Sequence, residues 1–195
     1  MDGSLADYAG ALLRDLREMA SPNDPEITEA NLWKVEEEYP HIAARMRVIK
    51  SQPGWWRKLS PIEDGFDVFS ICRQLGFDMQ ILTKGPKRHS AAWTEKLEWC
   101  QHYIGLDAKV TVTFDKSMIY GKILYDDFPE YVESWLKWRP RGLAIMPVTP
   151  ANEGHEIFNH PNVVAYRGRA DVDKTFQVIQ QAMERKHKEP LTFRS

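Results

Sequence analysis

The chain has 195 residues, of which 43% are hydrophobic, so it is long enough for one sizeable core or for a core with a small appendage. Its formal net charge is −2, and this near-neutral balance argues against a protein that binds nucleic acid polymers or anionic membranes. The net charge is still compatible with a small anionic ligand, because local positive charge is sufficient to bind such a ligand.

The cysteine content and the apolar runs predict a soluble cytoplasmic protein. Cys72 and Cys100 are the only cysteines, too few for a disulfide framework, so a reducing compartment is expected. No apolar run approaches the ~20 residues of a membrane helix. The acidic, polar amino-terminal segment does not resemble a secretory signal.

The first third of the chain predicts helices only. Apolar residues at helical spacing predict one helix over residues 6–19, a second from residue 28 and a third over residues 41–49. Segments that contain proline separate the three helices.

From residue 65 onward, predicted helices and strands alternate. Helices are expected over residues 65–75, 90–104, 128–138 and 171–186, and strands over residues 78–83, 109–114, 122–125, 143–148 and 163–166. This order predicts a doubly wound α/β sheet with helices on both faces. Ligands bind such sheets at the carboxyl ends of the strands, so the helical first third is expected to be a cap over that edge.

An adjacent pair of aspartates ends one predicted strand. Asp126 and Asp127 follow an apolar run, and two neighbouring carboxylates are tolerated where a cation or a basic side chain lies between them. Magnesium prefers such oxygen ligands. The alternative is that one aspartate caps the helix predicted to begin at residue 128.

A hydroxyl and two lysines follow another predicted strand. Thr83 ends that strand, and Lys84 and Lys87 lie in the loop after it. Together with free backbone N–H groups they form a candidate phosphate cradle, or else an ordinary basic surface loop. Lys116 and Asp2 are unremarkable when each is considered alone.

Four segments in chain order resemble the motifs of the haloacid dehalogenase superfamily of phosphatases. Residues 1–7 (MDGSLAD) resemble the tail of its first motif, Asp-x-Asp-Gly-x-Leu, and residues 81–83 (ILT) resemble the second. Lys116 lies where the lysine of the third motif is expected, and residues 124–127 (LYDD) resemble the fourth.

Three further segments resemble the 5'(3')-deoxyribonucleotidase branch, the cytosolic type C nucleotidases. Residues 53–61 (PGWWRKLSP) are similar to its aromatic loop, residues 93–99 (WTEKLEW) to its Glu-Lys-x-x-Trp helix, and residues 31–33 (NLW) to an aromatic segment of its cap. The resemblance spans roughly residues 1–148. It implies a three-layer, Rossmann-like core formed by residues 1–7 and 65–195, with a small helical cap over residues 8–64 that sets substrate specificity.

The resemblance also implies catalytic roles. An aspartate attacks the phosphate to form an aspartyl-phosphate, and Asp2 would act as general acid and then base. Its backbone carbonyl would also face magnesium, with Asp126 and Asp127 as the other metal-site residues. Lys116 would neutralise charge on the nucleophile and the phosphate. Thr83, Lys84 and Lys87 would bind phosphate, although Lys84 replaces a small polar residue that is frequent there.

A second implied set would contact the base of a nucleotide substrate. Its members are apolar or aromatic residues of the cap and of the loop that leads out of it: Tyr8, Leu32, Trp33, Trp55 and Trp56. Stacking on such rings contributes on the order of 1–3 kcal/mol per base in single-strand binding. Packing in the core is the alternative for each of them.

A more serious departure from the family pattern lies at the amino-terminal end of the sequence. The nucleophilic aspartate should immediately precede Met1, together with the strand that carries it. Three explanations are open: Met1 is an internal methionine of a longer protein, which we favour; the chain is a shortened, inactive relative; or another strand fills the gap, for example by swapping within a homodimer.

The expected function is therefore a magnesium-dependent phosphomonoester hydrolase that removes phosphate from deoxynucleoside monophosphates. One alternative is a phosphatase of the same fold that acts on another small phosphomonoester. The other is a catalytically inactive protein that binds nucleotides or a partner.

Overall fold

The computed structural model describes residues 1–86 and 89–186, so the candidate phosphate ligand Lys87 lies outside the described residues. The helices are α1 (Tyr8–Glu18), α2 (Val35–Glu38), α3 (Pro40–Lys50), α4 (Glu63–Gln74), α5 (Ala91–Tyr103), α6 (Pro129–Trp138) and α7 (Val172–Glu184). The strands are β1 (Ile81–Thr83), β2 (Val110–Val112), β3 (Ile123–Tyr125), β4 (Leu143–Pro147) and β5 (Val163–Tyr166). The mixture of helices and parallel strands confirms the predicted α/β class.

The strands form two separate sheets. β1 pairs with β2, and β3, β4 and β5 pair in that order, with every pairing parallel. A cavity of about 640 Å³ lies between β1 and β3 and is lined by Leu82 on one side and by Leu124 on the other. Met1 and Val68 of α4 also line it. The continuous sheet expected from the alternation of elements is therefore interrupted at this position.

The three-stranded sheet has a helical layer on each face. β4 is buried along its whole length, and its side chains alternate between the two faces. Ala144 and Met146 pack with Trp135 of α6, whereas Leu143 and Ile145 pack with α4 and α7. Such burial on both faces explains why β4 is uniformly apolar.

The helical first third packs against α5 as well as against itself. Leu12 of α1, Ile42 and Met46 of α3, and Trp99 of α5 belong to one hydrophobic cluster. Pro40 occupies the first turn of α3, where its missing N–H costs nothing, and this explains the predicted break. The division into a core and a cap of residues 8–64 stays a prediction.

The second predicted helix begins later than expected. Asn31 accepts a hydrogen bond from the Thr28 backbone N–H at 2.8 Å and donates one to the Glu26 carbonyl at 3.0 Å. These local bonds hold residues 28–31 as a turn, since an asparagine side chain competes with helical hydrogen bonding. Helical structure therefore starts only with a short 3₁₀ turn at Leu32–Lys34.

Candidate active site

The amino-terminal residues form a tight turn at the carboxyl end of β3. The Met1 carbonyl accepts hydrogen bonds from the backbone N–H groups of Ser4, Leu5 and Ala6. Gly3 has a φ of +71°, and a Cβ at that position would lie 2.1 Å from Oδ2 of Asp127. Only glycine therefore lets the turn approach this aspartate so closely.

Asp2 lies between β1 and α5. Its Oδ2 atom lies 2.5 Å from Nζ of Lys96 and accepts a long, 3.4 Å hydrogen bond from the Thr83 hydroxyl. Its Oδ1 atom is buried and has no hydrogen-bond partner among the described residues. One carboxylate oxygen is therefore held, and the other is left for a further partner.

Lys116 and Asp126 form a buried ion pair. Their Nζ and Oδ2 atoms are 2.6 Å apart, and Lys116 also lies over the Tyr131 ring at 4.6 Å. Burial lowers the pKa of Lys116, but attraction from Asp126 and the nearby carboxylates of Asp127 and Asp2 leaves that pKa raised. Lys116 therefore carries its charge when it faces an anion.

Asp127 is the carboxylate whose charge is least well compensated. Its Oδ1 atom accepts a 2.9 Å hydrogen bond from the Ser4 hydroxyl. Burial and the neighbouring Asp126 nevertheless raise the pKa of Asp127 to about 6, against the opposing effects of Ser4 and Lys116. A bound cation would relieve this repulsion.

The two aspartates of the pair have different partners. Asp126 accepts a 3.2 Å hydrogen bond from the backbone N–H of Phe128, just ahead of α6. Asp127 instead faces the turn at Gly3 and Ser4. The residue beside the helix start is thus distinct from the residue that faces the amino-terminal turn.

The oxygen atoms at this position fit a hard divalent cation. The Asp127 carboxylate is present, and the resemblance adds the backbone carbonyl of Asp2. Within residues 1–86 and 89–186, no group of three His, Cys, Asp or Glu side chains could hold a metal ion. A cation here would therefore complete its shell with backbone oxygens and waters, as magnesium commonly does.

The candidate phosphate loop is only partly described. Thr83 is buried at the end of β1, beside Asp2. The exposed side chain of Lys84 extends toward the Tyr131 hydroxyl, with 3.4 Å between the polar atoms. The structure thus places Thr83 with the acidic residues and directs the Lys84 ammonium toward α6.

Four aromatic residues of the predicted cap, Tyr8, Trp33, Trp55 and Trp56, form one connected cluster. Tyr8 stacks on Trp56 with 5.6 Å between ring centroids and lies 6.4 Å from Trp33. Trp55 meets Trp56 edge-on at 4.8 Å. Leu32, Trp55 and Trp56 are buried, as core packing requires, whereas Trp33 is 44% exposed. Trp33 is therefore the ring of this set that is most accessible to a ligand.

Sequence reasoning missed three residues that contact the aromatic cluster or Asp2. Phe128 meets Trp33 at 5.3 Å and Tyr131 at 4.9 Å, so it connects the cap cluster to α6. Glu95 accepts hydrogen bonds from the aromatic loop, and Lys96 binds Asp2. The Glu-Lys-x-x-Trp segment was the available signal for the last two.

Comparison with known proteins assigns the family. The model of the family "5' nucleotidase, deoxy (pyrimidine), cytosolic type C" matches residues 1–159. The chain belongs to this family. The match confirms the predicted resemblance and identifies the chain as a phosphatase of the 5'-nucleotidase type.

Individual members of the cytosolic type C family are distant in sequence. A Bordetella pertussis protein, provisionally named 5'(3')-deoxyribonucleotidase, is 28% identical over 155 residues, which cover 77% of this chain and 82% of that protein. Its Bordetella bronchiseptica counterpart is 26% identical over the same shares. The human 5'(3')-deoxyribonucleotidase, cytosolic type, is 27% identical over 137 residues, 65% of this chain and 67% of the human protein.

The structure also bears on the predicted absence of a membrane anchor. Across the part of the chain that the structure describes, none of the helices has the length and apolar character needed to cross a bilayer.

Proposed function

We propose that this chain is a magnesium-dependent 5'(3')-deoxyribonucleotidase that hydrolyses deoxynucleoside monophosphates in the cytoplasm. One observation carries the proposal: Asp2, Thr83, Lys116 and the Asp126–Asp127 pair converge around the carboxyl ends of β1 and β3. The relatives named as deoxyribonucleotidases support the substrate class.

Substrate binding divides between two groups of residues. The charged end, with Thr83 and Lys116, would hold the phosphate, because a buried ammonium and a hydroxyl match its charge and hydrogen-bonding oxygens. Trp33 and the adjoining rings Tyr8 and Phe128 would contact the base. A magnesium ion bound by Asp127 would neutralise charge on the transferring phosphoryl group.

Asp2 would carry out the proton transfers. In the first step Asp2 starts protonated, gives its proton to the nucleoside oxygen as the bond from phosphorus to that oxygen breaks, and is left as a carboxylate. In the second step it takes a proton from the water that releases the phosphate. The free Oδ1 atom of Asp2 is suited to both transfers.

In the family, the carboxylate that attacks phosphorus belongs to the first motif. The family pattern places it immediately before Met1, outside the 195 residues. Formation of the aspartyl-phosphate therefore requires a chain that supplies this residue.

Turnover of dTMP, dUMP and a sugar phosphate, each with magnesium and with EDTA, tests the proposal. We expect magnesium-dependent release of phosphate with a preference for the nucleotides. Equal or better turnover of the sugar phosphate would assign a different phosphomonoester. Binding of dTMP without hydrolysis would favour the inactive alternative.

The native length and the oligomeric state need separate measurements. An intact mass for the protein from its native source shows whether a residue precedes Met1. Sedimentation of the purified protein tests the homodimer, which stays a prediction.

A further inference from the structure

Lys96 carries a buried ammonium group and has none of the roles assigned above. It lies in the middle of α5, and only 2% of its surface is exposed. Burying a lysine costs several kcal/mol unless its charge is paired and its donors are satisfied. The contacts that compensate this cost therefore indicate what the residue does.

Three acceptors surround the Lys96 Nζ atom. They are Oδ2 of Asp2 at 2.5 Å, the Lys84 carbonyl at 2.8 Å and the Thr83 hydroxyl at 3.3 Å. An ammonium has three donors, so one lysine can satisfy all three acceptors. Each acceptor belongs either to the proposed acid–base residue or to the phosphate loop.

The same ammonium also contacts the aromatic loop. It lies 4.2 Å from the centroid of the Trp56 ring, within the range of a cation–π interaction. The preceding residue, Glu95, accepts hydrogen bonds from the backbone N–H groups of Gly54 at 2.6 Å and Trp56 at 3.1 Å. One turn of α5 thus connects the base side of the site to the phosphate side.

We propose that Lys96 is a positioning residue that determines which oxygen of Asp2 takes part in proton transfer. Lys96 and Thr83 engage Oδ2, and Oδ1 is left without a hydrogen-bond partner among the described residues. Lys96 also fixes the loop at Lys84, so the acid–base carboxylate and the phosphate loop are held at a constant separation. This inference rests on the proposed function.

The leaving group offers a readout that a purely structural role would not change. A nucleoside oxygen needs a proton as it departs, whereas 4-nitrophenolate leaves without one. The ratio kcat/KM reports all steps up to the release of the first product. The first proton transfer can therefore be measured separately from the later hydrolysis of the phosphoenzyme.

The variants are Lys96→Met, which keeps the length of the side chain without its charge, and Lys109→Met as a control. Lys109 forms an exposed ion pair with Asp78, also 2.5 Å long. We expect Lys96→Met to lower kcat/KM for dTMP about 10–100-fold, the usual effect of losing a residue that orients a reactive group. We expect a smaller loss for 4-nitrophenyl phosphate, because only the loosened phosphate loop affects this substrate, and little change for either substrate in Lys109→Met. Equal losses on both substrates, or none, would overturn the inference.

A binding measurement separates this inference from the proposed function. If the unmodified protein does not hydrolyse dTMP, titration calorimetry with orthophosphate and magnesium still tests whether Lys96 holds the phosphate loop in place. Lys96→Met should weaken the binding of orthophosphate about 10-fold, because the phosphate loop loses its hydrogen bond with Lys96. Unchanged affinity in a folded variant would contradict the proposal.

A paired variant covers the case in which Lys96→Met does not fold. Asp2→Asn combined with Lys96→Met removes both charges of the buried pair, so neither is left uncompensated. Its orthophosphate affinity is compared with that of Asp2→Asn alone. We expect weaker binding in the double variant, and equal binding would exclude a role for Lys96 in the loop.

Discussion

Two glycines with the same backbone conformation have different surroundings. Gly3 has a φ of +71° and faces the Asp127 carboxylate, whereas Gly76 has a φ of +78° and a Cβ added there would meet nothing within 4 Å. A side chain would therefore be strained at both positions, and contact with the site is particular to Gly3.

Gly3→Ala should destabilise the protein and abolish function, and Gly76→Ala should only destabilise it. Each substitution should lower the free energy of unfolding by roughly 1–3 kcal/mol, because an alanine is strained at positive φ. Only at Gly3 does the added carbon displace the carboxylate proposed to hold magnesium. Urea unfolding and dTMP turnover measure the two effects, and an active Gly3→Ala protein would refute this assignment.

Asp127→Asn should stabilise the metal-free protein while removing its response to magnesium. The pKa of Asp127 is raised to about 6, above that of an unfolded aspartate, so ionisation of Asp127 opposes folding once the pH exceeds its unfolded pKa. The stabilisation by the variant should be absent near pH 4, grow as the pH rises through 6, and reach about 1–3 kcal/mol at pH 7.5.

Thermal unfolding with and without magnesium measures both the stability of Asp127→Asn and its response to the metal ion. Magnesium should raise the melting temperature of the unmodified protein, since a ligand stabilises the state that binds it, and should leave Asp127→Asn unchanged. A metal-dependent shift of equal size in both proteins would place the cation elsewhere.

At the level of elements, α5 has its charged and apolar residues in unusual positions. Glu95 and Lys96 are buried, whereas Trp93, Leu97 and Tyr103 are each at least 37% exposed. A buried charge is favourable only where partners are supplied, and these come from the turn at Asp2 and the loop at Gly54. The apolar and polar pattern of α5 does not indicate these partners, so only the resemblance of residues 93–99 to the Glu-Lys-x-x-Trp helix could have pointed to this face of the site.

Glu95→Gln should loosen the aromatic loop, and Glu98→Gln provides the matched control on the same helix. Glu95 holds two backbone N–H groups of the loop, whereas Glu98 forms an exposed ion pair with Arg57. Loss of the charged acceptor in Glu95→Gln should lower the free energy of unfolding by about 1–3 kcal/mol. The control should cost less than about 1 kcal/mol.

The kinetic expectation for Glu95→Gln is a raised KM for dTMP with kcat little changed. This follows because the loop carries rings near the proposed base site and no reacting group. A fall in kcat at constant KM would indicate that the loop acts on the chemical step instead.

Across the whole molecule, the regular elements could be predicted better than their connections. The uniformly apolar β4 and the α6 helix with its initial proline carry their own signals, and both lie close to the expected bounds. The start of the second helix was wrong because the side chain of Asn31 closes a local turn. The family motifs located the acidic pair and Thr83, but not the packing that buries Trp55 and Trp56.

The cavity between β1 and β3 predicts that a strand-forming extension ahead of Met1 will stabilise the fold. Within the described residues β1 pairs only with β2, and β3 only with β4, so each has an edge available for hydrogen bonding. Five residues of alternating valine and threonine should stabilise the fold by roughly 1–2 kcal/mol, which raises the melting temperature by about 2–8 °C. Five residues of glycine and serine are the control, and equal shifts for both would show that the cavity accepts no strand.

The position of the Met1 amine has a practical consequence for anyone who prepares this protein. The Met1 nitrogen donates a 2.9 Å hydrogen bond to the Leu82 carbonyl, and Met1 is buried. A purification tag joined at that nitrogen would begin inside the molecule, beside the cavity. Samples that differ only in the residues left by tag cleavage should therefore differ in measured stability, so the leftover sequence belongs with every reported melting temperature.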